Sequence, residues 1–102
     1  MVATFITGAG GGLGRKLIAA LLADPACTRI VAADLTPPAD LADGRIEMVA
    51  GSLLDAEGEW ARAMAGCDTV VHFAAQNPHT DASWADATAS FDMTMAVFDL
   101  SL

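Results

Sequence analysis

The architecture of this chain follows from one glycine-rich run, Thr7-Gly8-Ala9-Gly10-Gly11-Gly12-Leu13-Gly14. Strand-forming apolar residues precede it at 2–7, and apolar residues at helical spacing follow it at 13–23. Glycines between a strand and a helix are informative, because the free N–H groups of the first helical turn and the helix dipole favour a negatively charged ligand. The order of these segments therefore predicts a turn that binds a pyrophosphate.

Individual glycines of the run have separate predicted roles. Gly8 permits a sharp turn out of the strand, and Gly14 lets the helix pack closely on that strand. A glycine in the middle of the turn, such as Gly11 or Gly12, lets the backbone approach a pyrophosphate with no Cβ in the way.

The glycines alone leave alternatives. A flexible surface turn has the same composition, and a methyltransferase that binds adenosylmethionine also uses a glycine turn after its first strand. A Walker-type phosphate loop is excluded, because it requires Gly, four residues and then Gly-Lys-Ser/Thr. Here Arg15 follows Gly14, and Ala9 stands five positions before that glycine.

The composition restricts the class of protein and its partners. At 102 residues the chain is one domain at most, and 54% of its residues are hydrophobic. No apolar run reaches the length of a membrane span and no basic residue precedes Arg15, so neither a transmembrane segment nor a signal peptide is expected. The formal charge of −8 argues against nucleic acid and anionic membranes as partners.

The two cysteines indicate a reducing compartment. Cys27 and Cys67 lie far apart in sequence, with no Cys-x-x-Cys pairing. We expect ordinary small buried residues here, not a disulfide or a metal framework. The cytoplasm is therefore the expected location, and no metal site is predicted.

Strands and helices alternate along the chain. After the first pair, the pattern predicts strands at 28–34 and 45–50, a helix at 56–65 closed by Gly66, a strand with its exit at 68–75, and a helix from Trp84 onward. Such alternation indicates an α/β domain with a parallel sheet and right-handed crossovers. In the doubly wound arrangement the strand order is 3-2-1-4, and ligands bind beyond the carboxyl ends of the strands. The glycine run, Asp34, 52–55 and 72–75 all lie at such ends.

Asp34 is a candidate ligand-binding carboxylate. It stands twenty positions after Gly14, at the end of the second predicted strand. A carboxylate there accepts hydrogen bonds from the adenosine ribose hydroxyls and repels a 2′-phosphate, which favours NAD over NADP. The alternative is a turn cap in a solvated loop.

These residues resemble the short-chain dehydrogenase/reductase superfamily, and in particular its extended branch, the NAD-dependent epimerase/dehydratase type. The resemblance rests on Thr7-Gly8-x-x-Gly11-x-x-Gly14, Asp34, Gly51-Ser52-Leu53-Leu54-Asp55 and His72-Phe73-Ala74-Ala75. Because three glycines run together, the first motif also fits the spacing of the other large branch, Thr-Gly-x-x-x-Gly-x-Gly. The His-x-Ala-Ala pattern decides for the extended branch and counts against a methyltransferase.

The resemblance implies a Rossmann-type sheet and a role for each motif. Gly8, Gly11 and Gly14 form the dinucleotide turn, with the backbone near Leu13 on the pyrophosphate. Asp34 holds the ribose. The remaining implied cofactor contacts are Ser52 and Leu53 beside the adenine, and Ala74 and Ala75 on the way to the nicotinamide. His72 is either part of this site or a histidine satisfied within its strand. Asn77, His79 and Thr80 fall in a loop that either faces substrate or is an ordinary polar loop.

The chain departs from the family pattern at two places. The family usually has Asp where Ser52 stands, and a serine hydroxyl accepts a hydrogen bond without charge assistance. Asp92 takes the place of an Asn that is common in the helix after the fourth strand. The residues around Asn77-Pro78 and 90–94 are similar to those of uronate or sugar-acid dehydrogenases within this branch.

The family's catalytic pair is missing from these residues. It is Tyr-x-x-x-Lys, whereas this chain contains no tyrosine and its only lysine is Lys16. We therefore interpret 1–102 as a dinucleotide-binding domain cut short within a helix, the front part of an NAD-dependent oxidoreductase or epimerase that acts on a sugar-like substrate and is able to form a homodimer. The alternative is a non-catalytic module that senses NAD(P).

Overall fold

The computed structural model describes residues 2–55, 57–75 and 83–101. The strands are β1 (Val2–Thr7), β2 (Cys27–Asp34), β3 (Ile46–Ala50) and β4 (Thr69–His72), and the helices are α1 (Gly12–Leu22), α2 (Glu59–Met64) and α3 (Trp84–Ser101). All strand pairs are parallel, and the order in the sheet is β3-β2-β1-β4. The predicted doubly wound α/β fold and its strand order are confirmed.

Both faces of the sheet are buried, because successive side chains of a strand point to opposite faces. Phe5 and Val31 face a core that includes residues of α2 and α3, and Ile6 and Ile30 face a second core that includes Ile18 of α1. This two-sided burial explains why the strands read as continuous apolar runs. Phe5 also contacts the Trp60 ring, with 6.4 Å between the ring centroids.

Two element boundaries differ from the sequence prediction by more than a residue. Helix α2 was expected to begin at Ala56, which lies outside the described residues, but it begins at Glu59 because Gly58 has the extended conformation of an N-cap. Its C-cap, Ala65, is right-handed, and Gly66 lacks the positive φ of a left-handed cap. Strand β4 ends at His72, so Phe73 and the two residues after it leave the sheet.

The register of the sheet brings the carboxyl ends of its strands to one edge. Thr7 of β1 lies opposite Ala33 of β2 and His72 of β4. Backbone N–H groups beyond the strand ends then bond to the neighbouring strand: Ala9 to the carbonyl of Ala33 at 3.2 Å, Gly51 to Asp34 at 3.1 Å, and Phe73 to Thr7 at 3.2 Å. The turns that follow the strands are therefore fixed against each other.

No helix in the described ranges is both long enough and apolar enough to cross a membrane.

Candidate functional site

A cavity of about 250 Å³ lies at this edge of the sheet. Seven of the ten predicted cofactor residues line it, namely Gly8, Gly11, Asp34, Ser52, Leu53, Ala74 and Ala75. The other lining residues are Ala33, Leu35, Gly51, Leu54, Phe73 and Met93. Gly12, Leu13 and Gly14 are not among the lining residues, and they belong to the first turns of α1 beside the cavity.

Gly8 and Gly14 are required by the close approach of backbone segments. Gly8 has a φ of +66°, and a Cβ on it would lie 2.8 Å from the amide nitrogen of Ala74. A Cβ on Gly14 would lie 2.6 Å from the carbonyl oxygen of Gly8 and 2.7 Å from the Cα of Ala9. Gly14 therefore allows close packing as expected, but against the turn rather than against the body of the strand.

The N-terminus of α1 is open toward a ligand. Its N-cap residue, Gly11, is extended and has no side chain that could cap the helix, and the first turn has no acidic residue. The first N–H groups of a helix have no acceptor within the helix and carry the positive end of its dipole. A Cβ on Gly12 would meet nothing within 4 Å. This end of α1 therefore offers donors and free space for an anionic group.

Asp34 braces the glycine turn as well as lining the cavity. Its Oδ2 accepts a hydrogen bond from the Gly10 N–H at 2.8 Å, and its Oδ1 accepts one from the Thr36 N–H at 3.1 Å. Asp34 therefore does cap the turn that follows β2, as the alternative to ligand binding predicted. The bond to Gly10 is additional, and it joins the end of β2 to the turn after β1. Binding of ribose by Asp34 stays a prediction.

Apolar side chains flank the polar groups of the cavity. Leu53 is buried, whereas Leu35 is 69% exposed, Leu54 is 52% exposed and Phe73 is 40% exposed. The Ser52 hydroxyl accepts a hydrogen bond from the Leu54 N–H at 3.1 Å, which leaves its own proton for donation. The arrangement suits a flat, largely apolar ring beside a polar group. Sequence reasoning gave no cofactor role to the other six lining residues, although 72–75 and 52–55 were placed at strand ends; for Leu35, position directly after a strand was the available signal, and Met93 had none.

His72 lies behind the cavity in a chain of hydrogen bonds. Its Nδ1 is 2.6 Å from Thr7 Oγ1, and its Nε2 is 3.0 Å from Thr94 Oγ1. The Ala74 N–H donates to Thr7 Oγ1 at 3.1 Å, and the Thr94 hydroxyl donates to the Ser90 carbonyl at 3.0 Å. Burial lowers the pKa of His72 below its ordinary value, which favours a neutral imidazole.

An ion pair joins α1 to the loop after β2. Arg15 donates to Asp40, and this contact holds the pKa of the Asp40 carboxyl below its usual range and that of Arg15 above it. The Arg15 side chain is 39% exposed and the Asp40 side chain 63%, so solvent screens the pair and it contributes little to stability. Arg15 is therefore engaged in the loop contact.

The remaining predicted positions lie elsewhere. Asn77, His79 and Thr80 lie outside the described residues. Asp92 is exposed on α3 and does not line the cavity. Within the described ranges, no group of three or more His, Cys, Asp or Glu side chains is arranged to hold a metal ion.

Comparisons with known proteins identify a family and several solved structures that are similar to this chain. A family model described as the NAD dependent epimerase/dehydratase family matches residues 4–101. Among solved structures, a mutant uronate dehydrogenase from Agrobacterium tumefaciens complexed with NAD is similar, with 28% identity and a TM-score of 0.76 over 99% of this chain and 36% of that one. A comparison with curated proteins returned no match.

Two further structures are similar over a comparable range. The Bordetella bronchiseptica enzyme WbmG in complex with NAD and UDP has 27% identity and a TM-score of 0.78, over 96% of this chain and 33% of that one. A short-chain dehydrogenase/reductase superfamily protein from Agrobacterium tumefaciens with bound NAD has 28% identity and a TM-score of 0.70, over 97% and 28%. The chain thus spans about a third of the length of the structures it matches.

Proposed function

This chain belongs to the NAD dependent epimerase/dehydratase family, and we propose that it forms the adenosine- and pyrophosphate-binding half of an NAD site. The observation that carries the proposal is the cavity of about 250 Å³, where the turns after all four strands meet. Ligands of doubly wound sheets bind at this edge, where the strand order switches between β1 and β4. We propose that residues 1–102 all belong to one dinucleotide-binding domain.

The residues present fit this cofactor. The first-turn N–H groups of α1, near Leu13, would hold the pyrophosphate, with the open space at Gly12 allowing close approach. Asp34 would accept from the ribose hydroxyls. Ser52 and Leu53 would contact the adenine, and Ala74 and Ala75 would line the path to the nicotinamide.

For the whole protein we propose hydride transfer between the cofactor and a hydroxyl or carbonyl carbon of a sugar-like substrate. NAD, when bound, supplies the hydride acceptor. Two comparisons support this substrate class: one similar structure is a uronate dehydrogenase, and another is a complex with NAD and UDP. The described residues would bind and orient the adenosine half of the cofactor.

A titration with NAD tests the proposal by calorimetry, using two glycine variants. Gly12→Val places a side chain where the fold has nothing within 4 Å, so the variant is expected to fold normally and lose NAD binding. Gly44→Val is the matched control, because Gly44 also has nothing within 4 Å but does not line the cavity. Equal NAD affinity in both variants and the unaltered protein would remove the pyrophosphate assignment.

A second candidate function is a non-catalytic module that senses NAD(P). These 102 residues contain no tyrosine and only Lys16, which is compatible with this candidate and equally with a chain that spans about a third of the length of the structures it matches. Incubation of the intact protein with NAD and uronates or nucleotide sugars separates the two candidates. Formation of NADH or of an epimerised sugar supports the enzyme, and NAD binding without turnover supports the sensor.

The proposed association state is a homodimer. The outer face of α3 carries large apolar side chains one turn apart, with Phe91 64% exposed and Met95 40% exposed. An apolar face of this kind is expected to be covered in the intact protein. Sedimentation of the intact protein at several concentrations measures the association state.

A further inference from the structure

The hydrogen-bond chain through His72 joins three elements that meet behind the cavity. His72 ends β4, Thr7 ends β1 and Thr94 lies in α3. The links are 2.6 Å between Nδ1 and Thr7 Oγ1 and 3.0 Å between Nε2 and Thr94 Oγ1. None of these three residues lines the cavity, so any effect on a bound cofactor passes through neighbouring residues.

The partners determine which ring nitrogen carries the proton. Thr94 uses its own proton on the Ser90 carbonyl, so its oxygen accepts from an Nε2–H group. Thr7 is fully buried and its oxygen already accepts from the Ala74 N–H, so its proton is satisfied by an unprotonated Nδ1. The other tautomer would leave the Thr7 hydroxyl proton buried without that acceptor, which is costly. All groups are satisfied when the imidazole is neutral with its proton on Nε2.

Both ends of this series of hydrogen bonds lead to residues that line the cavity. At one end, Thr7 holds the N–H group of Ala74, a lining residue whose backbone lies against Gly8. At the other end, Thr94 directly follows Met93, which lines the cavity from α3. The position of α3 over β4 and the path of the chain after β4 are therefore linked through one side chain.

We propose that His72 is a positioning residue that, as the Nε2–H tautomer, fixes the residues after β4 and Met93 as two walls of the cofactor cavity. This inference rests on the proposed NAD site for its functional consequence, but its structural part is independent of the ligand. A histidine that merely satisfied its own strand would lack the directional link to α3.

The first test is the protonation state of the ring in the intact protein. Nitrogen NMR of His72 is expected to show a bonded proton on Nε2 and the shift of an unprotonated imidazole nitrogen for Nδ1. A proton on Nδ1 instead would overturn the assignment. This measurement needs no cofactor, so it stands even if NAD fails to bind.

The second test compares two threonine-to-valine variants of α3. Thr94→Val removes the bond to His72 together with a bond to the helix carbonyl four residues earlier. Thr88→Val is the matched control, because the Thr88 hydroxyl makes the same kind of bond to Trp84 at 3.0 Å. Thr94→Val is expected to shift the Met93 amide resonance and to raise the NAD dissociation constant about three- to tenfold, as for one lost hydrogen bond. Thr88→Val is expected to change neither.

Two substitutions at His72 separate the halves of the link. An Asn side chain places an acceptor near the position of Nδ1, and a Gln side chain places a donor near that of Nε2. His72→Asn is expected to preserve the Ala74 amide shift and change that of Met93, and His72→Gln is expected to do the reverse. If both variants leave both amides unchanged, or if Thr94→Val matches Thr88→Val, the positioning role is refuted. Failure of the unaltered protein to bind NAD, with these amide changes present, would instead refute the proposed function.

Discussion

Replacement of Asp34 by alanine is expected to impair two separate interactions of the cofactor site. The first is the brace to the glycine turn, made by the 2.8 Å bond from the part-buried Gly10 N–H. The second is the proposed pair of bonds from the adenosine ribose hydroxyls. The bond from Thr36 is exposed at 3.1 Å, so water replaces the carboxylate there at little cost.

The structure allows the magnitude of each loss to be worked out. A hydrogen bond to a charged group contributes about 1.5–3 kcal/mol, and the partial exposure of this site favours the lower value. Loss of the Gly10 bond is therefore expected to cost about 1.5 kcal/mol, or about tenfold in affinity for any ligand that uses the turn. Loss of two ribose bonds is expected to cost about 3 kcal/mol, or a further factor of about 100.

Calorimetry with ADP and 2′,3′-dideoxy-ADP separates the two losses, because the second ligand lacks the ribose hydroxyls. In Asp34→Ala the two ligands are expected to bind equally, with the dideoxy compound about tenfold weaker than in the unaltered protein. Asp99→Ala is the matched control for the loss of one negative charge, since Asp99 is exposed on α3 and does not line the cavity. If Asp34→Ala preserves the preference for ADP, the ribose assignment is wrong. Unchanged binding of the dideoxy compound would show that the Gly10 bond does not support the pyrophosphate turn.

Three further outcomes are expected. Gly14→Ala should lower the free energy of unfolding by about 1–3 kcal/mol through overpacking against Gly8 and Ala9, whereas Gly12→Ala should not lower it. Equal urea midpoints for the two variants would contradict the packing argument. Equilibrium titration should show weaker binding of NADP than of NAD, because the Asp34 carboxylate repels the 2′-phosphate, and equal affinities would count against that orientation. Burial lowers the pKa of His72 in the folded protein, so the stabilisation from the neutral imidazole is complete above about pH 6.5 and declines as the pH falls below that value. His72→Gln should remove this contribution to the pH dependence of the urea midpoint. If the midpoints of the two proteins vary with pH in parallel, His72 makes no such contribution.

The sheet was predictable because it depends on local patterns. The alternation that sends Phe5 to one core and Ile6 to the other is contained in a single apolar strand flanked by turn residues. The glycine run fixed the first turn, and the positive φ of Gly8 is a backbone requirement that few other residues meet. Strand order followed from the general rules for α/β crossovers.

Other parts of the site depend on register between distant segments. The contact of Thr7 with His72 joins residues 65 positions apart, and the bond from Gly10 to Asp34 spans 24. Met93 reaches the cavity from the helix after β4, at a point set by the packing of α3 rather than by any motif. A sequence pattern identifies the residues at a strand end, but it does not state which backbone group each one bonds.

The glycine run itself shows how structure divides a motif between folding and binding. The fold requires Gly8, Gly10 and Gly14, because a Cβ on any of them would collide with neighbouring backbone. It gains nothing from Gly12, where a Cβ would meet no atom within 4 Å and where alanine favours a helix by up to about 1 kcal/mol. A glycine inside a helix, where the protein's own contacts do not explain it and a cavity lies beside it, points to a contact with a ligand; Gly44, in a turn away from the cavity, does not. At the uncapped N-terminus of α1, beside the cavity, the proposed pyrophosphate is that contact, and the comparison of Gly12→Val with Gly44→Val tests this inference directly.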